Sequence, residues 1–201
     1  WAEELFNHHP NCERFALDIS QSVEVARART KMLSNVCVLQ GDILHLPFSG
    51  PTFDAIFSSG VIHHTGDARQ AFAQLAKILK PGGIIGVYVY AVKPLLREQS
   101  DLEIRKKTTM LTYQEAYEFS DQISCLGQAF SQIKTPLIIE KNIPLLGIKK
   151  GEYDLQKFMY DYFIRCWWNQ QMGLEFANLV NVDWWHPQFA THHTPEEITG
   201  W

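Results

Sequence analysis

Two acids, a small polar turn and a histidine pair are the residues of this chain whose types and spacing could do chemistry. Asp18 closes the apolar run Phe15–Ile19, and Ser20 or Ser22 can cap the helix expected to follow. A carboxylate at that place either caps the helix or, in nucleotide-binding α/β folds, accepts hydrogen bonds from both hydroxyls of a ribose. Asp42 ends the next run, Val36–Gln40, with Ile43 and Leu44 behind it. An acid beside aliphatic side chains can take the exocyclic amine of an adenine while Ile or Leu packs on the ring. Ser58-Ser59-Gly60 ends a third run, Phe53–Ser58, and His63-His64 follow it. Histidine titrates near neutrality and can remove a proton from a hydroxyl or amine. The plainer role of the pair is to close a loop over a bound ligand.

The elements that must position these residues are short strands. The runs are bounded by Gly and Pro and lack a 3.6-residue period, as do strands buried on both faces of a parallel sheet. Ligands bind such sheets just beyond the carboxyl ends of the strands, where the acids and the Ser-Ser-Gly turn stand. Ala68, Ala71, Phe72, Leu75, Ala76 and Leu79 recur at helical spacing, so a helix is expected over Ala68–Lys80. Pro81-Gly82-Gly83 should stop it, and Ile84–Tyr90 reads as a further buried strand. Strand and helix alternate, which predicts an α/β parallel sheet. At the start of the chain, WAEELFNH reads as the end of an amphipathic helix.

Beyond Tyr90 the sequence turns helical and aromatic. Thr112-Tyr113-Gln114-Glu115 has the spacing of a capping box and opens a helix to about Ile133. Leu137–Glu140 is a possible short strand. Leu155, Phe158, Met159, Tyr162, Phe163, Cys166 and Trp167 form a second helical stripe, and Thr194-Pro195-Glu196-Glu197 starts a last helix. Three regions follow from this: 1–92 holding the sheet, 93–190 a helical aromatic insertion acting as a lid, and 191–201 a helix returning to the first. Trp167, Trp168, Trp184 and Trp185 belong more naturally to the core of that insertion than to an aromatic-substrate site, Trp167 above all. Asp183, His186, His192 and His193 have metal-ligating side chains, but their spacing does not define a convergent set, and no metal is expected.

Composition narrows the class. The chain has 201 residues, 46% of them hydrophobic, and a net charge of −4. Such a balance, with dispersed Lys and Arg, does not suit sequence-independent nucleic-acid binding. Arg105-Lys106-Lys107 reads as a solvated helix end. The cysteines Cys12, Cys37, Cys125 and Cys166 make no CxxC pair, and Cys37 is expected to be a small buried hydrophobe in a reducing compartment. Uncharged runs such as Gly82–Val92 are shorter than the roughly 18 residues a membrane span needs. A cytoplasmic protein without a membrane partner is expected.

ALDIS at 16–20, VLQGDILHLPF at 38–48, FDAIFSSGVIHH at 53–64 and LAKILKPGGIIGVYVY at 75–90 together resemble the class I S-adenosylmethionine-dependent methyltransferases, of the small-molecule type 11 kind. The resemblance covers roughly residues 14–90. It implies a Rossmann-like sheet flanked by helices, S-adenosylmethionine as cofactor and methyl transfer to a small-molecule acceptor. It further implies Asp18 and Ile19 at the ribose, Asp42 and Ile43 at the adenine, and Ser58, Ser59 and Gly60 at the methionine part. One feature of the family is not found: the glycine-rich loop after its first strand, since the glycines begin at Gly41. The chain is therefore expected to be cut inside the fold at both ends, without the first and last strands, and to bind the cofactor poorly alone. A non-catalytic remnant that binds a ligand or partner is the competing reading. A nicotinamide-dependent dehydrogenase is another, but Gly41-Asp42 and Leu46-Pro47-Phe48 are not its pattern.

Overall fold

The computed structural model describes residues 12–201; the WAEELFNH segment lies outside them. Within the described residues the chain forms two compact units. One runs to Ile62 and includes Asp67–Tyr88 and Trp201; the other holds His63–Gly66 and Val89–Gly200.

The first unit is built from β1 (Arg14–Asp18), α1 (Ser22–Thr30), β2 (Val36–Gln40), β3 (Phe53–Ser59), α2 (Ala68–Ile78) and β4 (Leu79–Tyr88). β1 pairs with β2 and β3 with β4, both in parallel. This is the Rossmann-like α/β pattern read from the alternation. Among the described residues each of these strands has one hydrogen-bonded neighbour. The strands are consequently not buried on both faces, as their composition suggested. Phe15, Phe57 and Ile84 are 45%, 56% and 73% exposed, and Cys37 is exposed rather than a core residue. A strand pair with little packed on one face leaves that face to solvent, whatever its composition. Aromatic rings connect the two pairs: Phe15 of β1 meets Phe53 of β3 at 5.4 Å between centroids, and Phe48 packs edge-on against both.

α2 buries the face its periodicity announces, through Ala68, Ala71, Leu75 and Ile78, and the Asp67 carboxylate caps it by accepting from the Gln70 amide at 2.9 Å. The helix stops earlier than the Pro-Gly-Gly signal suggested. Leu79 is already extended and pairs with Phe53, while Ala55 pairs with Ile84, so residues 80–83 bulge out within the strand. Gly82 takes φ +80°, and a Cβ on Gly83 would press to 2.9 Å from the Asp54 carbonyl oxygen. Pro81-Gly82-Gly83 is therefore a bulge inside β4, not a turn ahead of it.

The second unit is mostly helical: α3 (Leu95–Thr108), α4 (Tyr113–Gln132), α5 (Leu155–Tyr162), α6 (Gly173–Trp185) and α7 (Pro195–Thr199), with a short antiparallel pair of β5 (Leu137–Ile139) and β6 (Gly151–Tyr153). Both halves of the Thr112–Glu115 capping box form, which stabilises the start of α4 by about 1 kcal/mol. The aromatic stripe from Leu155 does not continue as one helix. α5 ends at Tyr162, where the Phe163 and Ile164 amides both donate to the Met159 carbonyl. The chain from Phe163 then runs irregularly against α4 and α6. Gly127 permits this, since a Cβ there would fall 2.4 Å from the Cys166 carbonyl oxygen. Asn181, fully buried, holds the segment by accepting from the Trp167 amide and donating to the Trp167 carbonyl and to Ser124 Oγ, each at 2.9–3.1 Å. A tertiary clamp has overridden local periodicity.

The core of this unit contains Tyr90, Trp184 and Trp185, with Phe119, Ile104 and Ile164 packed on them. Trp184 and Trp185 are 2% and 0% exposed, whereas Trp167 is half-buried. Lys106 and Lys107 are exposed as a solvated helix end requires, but Arg105 turns inward and donates to the carbonyls of Trp184 and Pro187. None of the helices is long and apolar enough to cross a membrane among the described residues.

Candidate functional site

In the first unit, Asp18 of β1 is registered with Gln40 of β2, so the carboxyl ends of both strands point the same way and Asp42 stands two residues past the second end. Two hydrogen bonds hold these ends together: Gly41 N–H to the Asp18 carbonyl at 3.0 Å, and Gln40 Nε2 to the Ile19 carbonyl at 3.2 Å. A Cβ on Gly41 would come to 3.1 Å from Leu17 Cδ1, so glycine here lets the chain lie close over β1. Asp18 is exposed. Its Oδ1 accepts from the Ser20 amide at 2.7 Å, and Oδ2 has no protein partner among the described residues. One Asp18 oxygen thus shapes the turn into α1, whose N-cap position is taken by Gln21, and the other is open to a donor.

Asp42 is more constrained. Its Oδ1 accepts from the Leu44 amide at 2.8 Å and its Oδ2 from His45 Nδ1 at 2.9 Å. The Leu44 bond first, and then His45, holds its carboxyl below the usual range, so it is an anion in neutral water. The turn made by Asp42 sends Ile43 into an apolar cavity of about 170 Å³ between the strand pairs, also lined by Leu17, Leu39, Phe48 and Phe53. Ser58, at the end of β3, lines the same cavity. It is 6% exposed, and its hydroxyl is buried without a hydrogen-bond partner. A buried orphan hydroxyl costs free energy unless a ligand or water satisfies it. Gly60 reverses the chain with φ +74°, its N–H bonded to the Tyr88 carbonyl, while Ser59 and Ile19 are exposed. The open Asp18 oxygen and the anionic Asp42 beside Ile43 are acceptors that a nucleoside's diol and amine could donate to, and the Ser58 hydroxyl is a further polar group without a partner.

His63 and His64 belong to the second unit and differ sharply. The His63 ring is fully buried, lies 3.7 Å from the Tyr90 ring, and neither nitrogen has a partner. Burial, helped by the neighbouring histidines 64, 192 and 193, pushes its pKa down to about 3, so the imidazole is neutral. Its backbone carbonyl accepts from the amide and hydroxyl of Thr191. His64 Nδ1 donates to the Phe189 carbonyl at 2.8 Å, which fixes the tautomer and leaves Nε2 as a lone-pair acceptor without a protein donor among the described residues.

The other candidates are bound up in separate contacts. His192 meets Glu98, His193 meets Glu197, His186 lies 3.4 Å from the Thr108 carbonyl, and Asp183 receives the Tyr90 hydroxyl at 3.4 Å. No group of three His, Cys, Asp or Glu side chains suited to a metal converges among the described residues. Sequence reasoning passed over a buried ion pair, Arg97 Nε to Asp101 at 2.9 Å, with both side chains 1% exposed. Its i, i+4 spacing on α3 was legible; its burial was not.

Residues 1–87 match a family model described as a methyltransferase domain. Over 109 residues the chain is 35% identical to a probable tRNA methyltransferase 9B of Bos taurus, covering 53% of this chain and 22% of that protein. It is 33% identical over 70 residues to a demethylmenaquinone methyltransferase of Staphylococcus haemolyticus, covering 34% of this chain and 29% of the relative. The chain thus spans less than a third of the length of either. Among solved structures, the YcgJ protein of Bacillus subtilis aligns with TM-score 0.43 at 27% identity, over 51% of this chain and 47% of that one. Residues 1–87, under half of the chain, thus match the methyltransferase-domain model, and the described residues of that stretch form the two parallel strand pairs with their interleaved helices.

Proposed function

We propose that this chain takes part in methyl transfer from S-adenosylmethionine to a small-molecule acceptor. The observation that carries the reading is the pair of carboxylates at neighbouring carboxyl ends of β1 and β2, each anchored by a backbone N–H. When bound, S-adenosylmethionine supplies a methyl group on a positively charged sulfur, open to in-line displacement. Asp18 Oδ2 accepts from the ribose hydroxyls, Asp42 accepts from the adenine amine, and Ile43 packs on the ring. Ser58, Ser59 and Gly60 serve the methionine part, the Ser58 hydroxyl gaining the partner it lacks. Of the two histidines, we assign proton removal from the acceptor to His64, whose Nδ1 is held by the Phe189 carbonyl and whose buried Nε2 carries the lone pair and has no protein donor among the described residues. His63, buried and neutral against Tyr90, suits a structural role.

The acceptor class rests on charge and composition. A net charge of −4 with dispersed Lys and Arg favours a small molecule over a polyanion such as tRNA, the substrate class named for one relative. The helical segment from Leu95 to Trp185 is the part we assign to acceptor selection. Two measurements test this. Calorimetric titration of the gene product with S-adenosylmethionine should show one-site binding; its absence overturns the cofactor assignment. Incubation with methyl-labelled cofactor and size-fractionated cell extract should place label in the low-mass fraction, and label confined to RNA overturns the acceptor class. Exchanging residues 95–185 with those of a related enzyme should then move acceptor preference and leave cofactor affinity unchanged.

A further inference from the structure

The second unit carries a buried concentration of positive charge that nothing in the methyl-transfer reading uses. Lys93 Nζ, Arg97 Cζ and Arg165 Cζ lie 5.9, 5.3 and 4.1 Å from the centre of the Trp184 ring. The two guanidinium groups also lie 5.1 and 5.4 Å from the Tyr160 ring. Cation–π contact offsets part of the desolvation cost of such charges, but it does not saturate their N–H groups. Arg97 spends Nε on both oxygens of Asp101 and Nη1 on the Tyr160 carbonyl, and its Nη2 is left buried without a partner. Arg165 gives Nη1 to the Tyr160 hydroxyl at 2.9 Å and leaves Nε orphaned. Trp184 Nε1 is a third buried N–H without an acceptor.

The carboxylates nearby do not balance this set. Asp101 is committed to Arg97, and Glu98 accepts from His192 Nδ1 at 2.8 Å and from the Lys93 backbone amide. Asp183 receives the Tyr90 hydroxyl, and the further cation Arg105 is spent on backbone carbonyls. Neither Lys93 nor Arg165 faces a carboxylate within ion-pair distance among the described residues. Burial, then their mutual repulsion with Arg97, lowers the affinity of Lys93 for its proton. A site made of unsatisfied donors and surplus positive charge, with an aromatic face, calls for one missing component.

We infer that Lys93, Arg97 and Arg165, grouped on Trp184, form a binding site for the oxyanion of a small organic acid, a carboxylate or phosphate carried by the ligand of this unit. Lys93 is half-buried and gives the anion its approach, while Arg165, with its Nε buried, His192, 11% exposed, and Arg97, 1% exposed, form the closed end. Arg is suited to such a group because its planar fork meets two oxygens at once, and Lys adds a point charge. On the methyl-transfer reading this ligand is the acceptor, which would then be acidic. The site itself requires only the second unit, and its test needs no cofactor.

The test is calorimetric titration of the chain with inorganic phosphate and, separately, with benzoate, sodium chloride holding ionic strength constant. Benzamide serves as the uncharged control. Saturable binding of phosphate or benzoate, and none of benzamide, is expected; the anion preferred shows whether the group is phosphate or carboxylate. Arg165→Gln and Lys93→Gln should each weaken binding by roughly tenfold, as loss of a charge-assisted contact requires. Arg165→Lys should retain part of it, and Lys106→Gln, on the exposed face of α3, should change nothing. If Arg165→Gln fails to fold, the half-buried Lys93→Gln carries the test. Absence of saturable binding by both anions, or binding equally weakened by Lys106→Gln, overturns the inference. Oxyanion binding that persists where S-adenosylmethionine does not bind would support this inference independently of the cofactor reading.

Discussion

Replacing Asp18 by Asn changes one atom of consequence. Asparagine keeps an oxygen for the Ser20 amide, so the 2.7 Å bond that shapes the turn into α1 survives. The atom now open to solvent, Oδ2, becomes an NH₂ group and turns from acceptor to donor. A hydrogen bond to a charged group is worth about 1.5–3 kcal/mol. Asp18 is exposed, so water competes for it, and the loss expected is about 1–3 kcal/mol, or roughly five- to 150-fold in the Kd for S-adenosylmethionine. Asp18→Ala removes the Ser20 bond as well. It should add no more than about 1 kcal/mol of lost stability, because the freed amide can turn to water. Calorimetry on the gene product reads the Kd, and a urea midpoint reads the stability. A cofactor affinity unchanged in both variants would refute the ribose assignment, and a loss in Asp18→Ala alone would mark Asp18 as a turn residue only.

Asp42→Ala should weaken cofactor binding less than Asp18→Ala, since packing on Ile43 remains; an equal or larger loss by calorimetry would contradict that division. His63 titrates near 6.5 when unfolded and about 3 when folded, so the unfolded chain binds a proton that the folded chain refuses. Stability should therefore fall as pH drops from 6.5 toward 3 and be indifferent to this group above that window. His63→Phe should flatten the urea midpoint against pH, and identical slopes would refute the buried neutral assignment. Asn181→Ala strips partners from Ser124 and from both backbone groups of Trp167, costing about 2–4 kcal/mol. Asn178→Ala, with its single bond to Asp121, should cost nearer 1 kcal/mol on the same thermal or urea assay. His64→Gln should lower turnover by about a hundredfold with cofactor Kd unchanged, and undiminished turnover would remove its role as base.

Much of this protein was fixed by local rules. Asp67 and Thr112 carry their own reason to begin helices, because a short polar side chain and three following residues suffice to satisfy the first amides. The strands Val36–Gln40 and Phe53–Ser59 and the face of α2 follow from apolar runs and a 3.6-residue period. The placement of Asp18 and Asp42 at strand ends is local in the same sense. Tertiary structure decided the rest. Burial depends on what packs opposite, so Cys37 and Ile84 lie exposed despite their composition, while Arg97 and His63 are enclosed despite theirs. The Leu155–Trp167 stripe breaks at Tyr162 because Asn181 and Gly127, distant in sequence, reward an irregular chain. The two histidines are adjacent and alike in sequence, yet one lies against Tyr90 with both ring nitrogens unpartnered and the other holds the Phe189 carbonyl through Nδ1. The gathering of Lys93, Arg97 and Arg165 on one tryptophan joins residues up to 91 positions apart in the chain. Periodicity and spacing describe what a residue meets along its own element; electrostatic and packing partners are set by the chain's return, and only the folded structure records them.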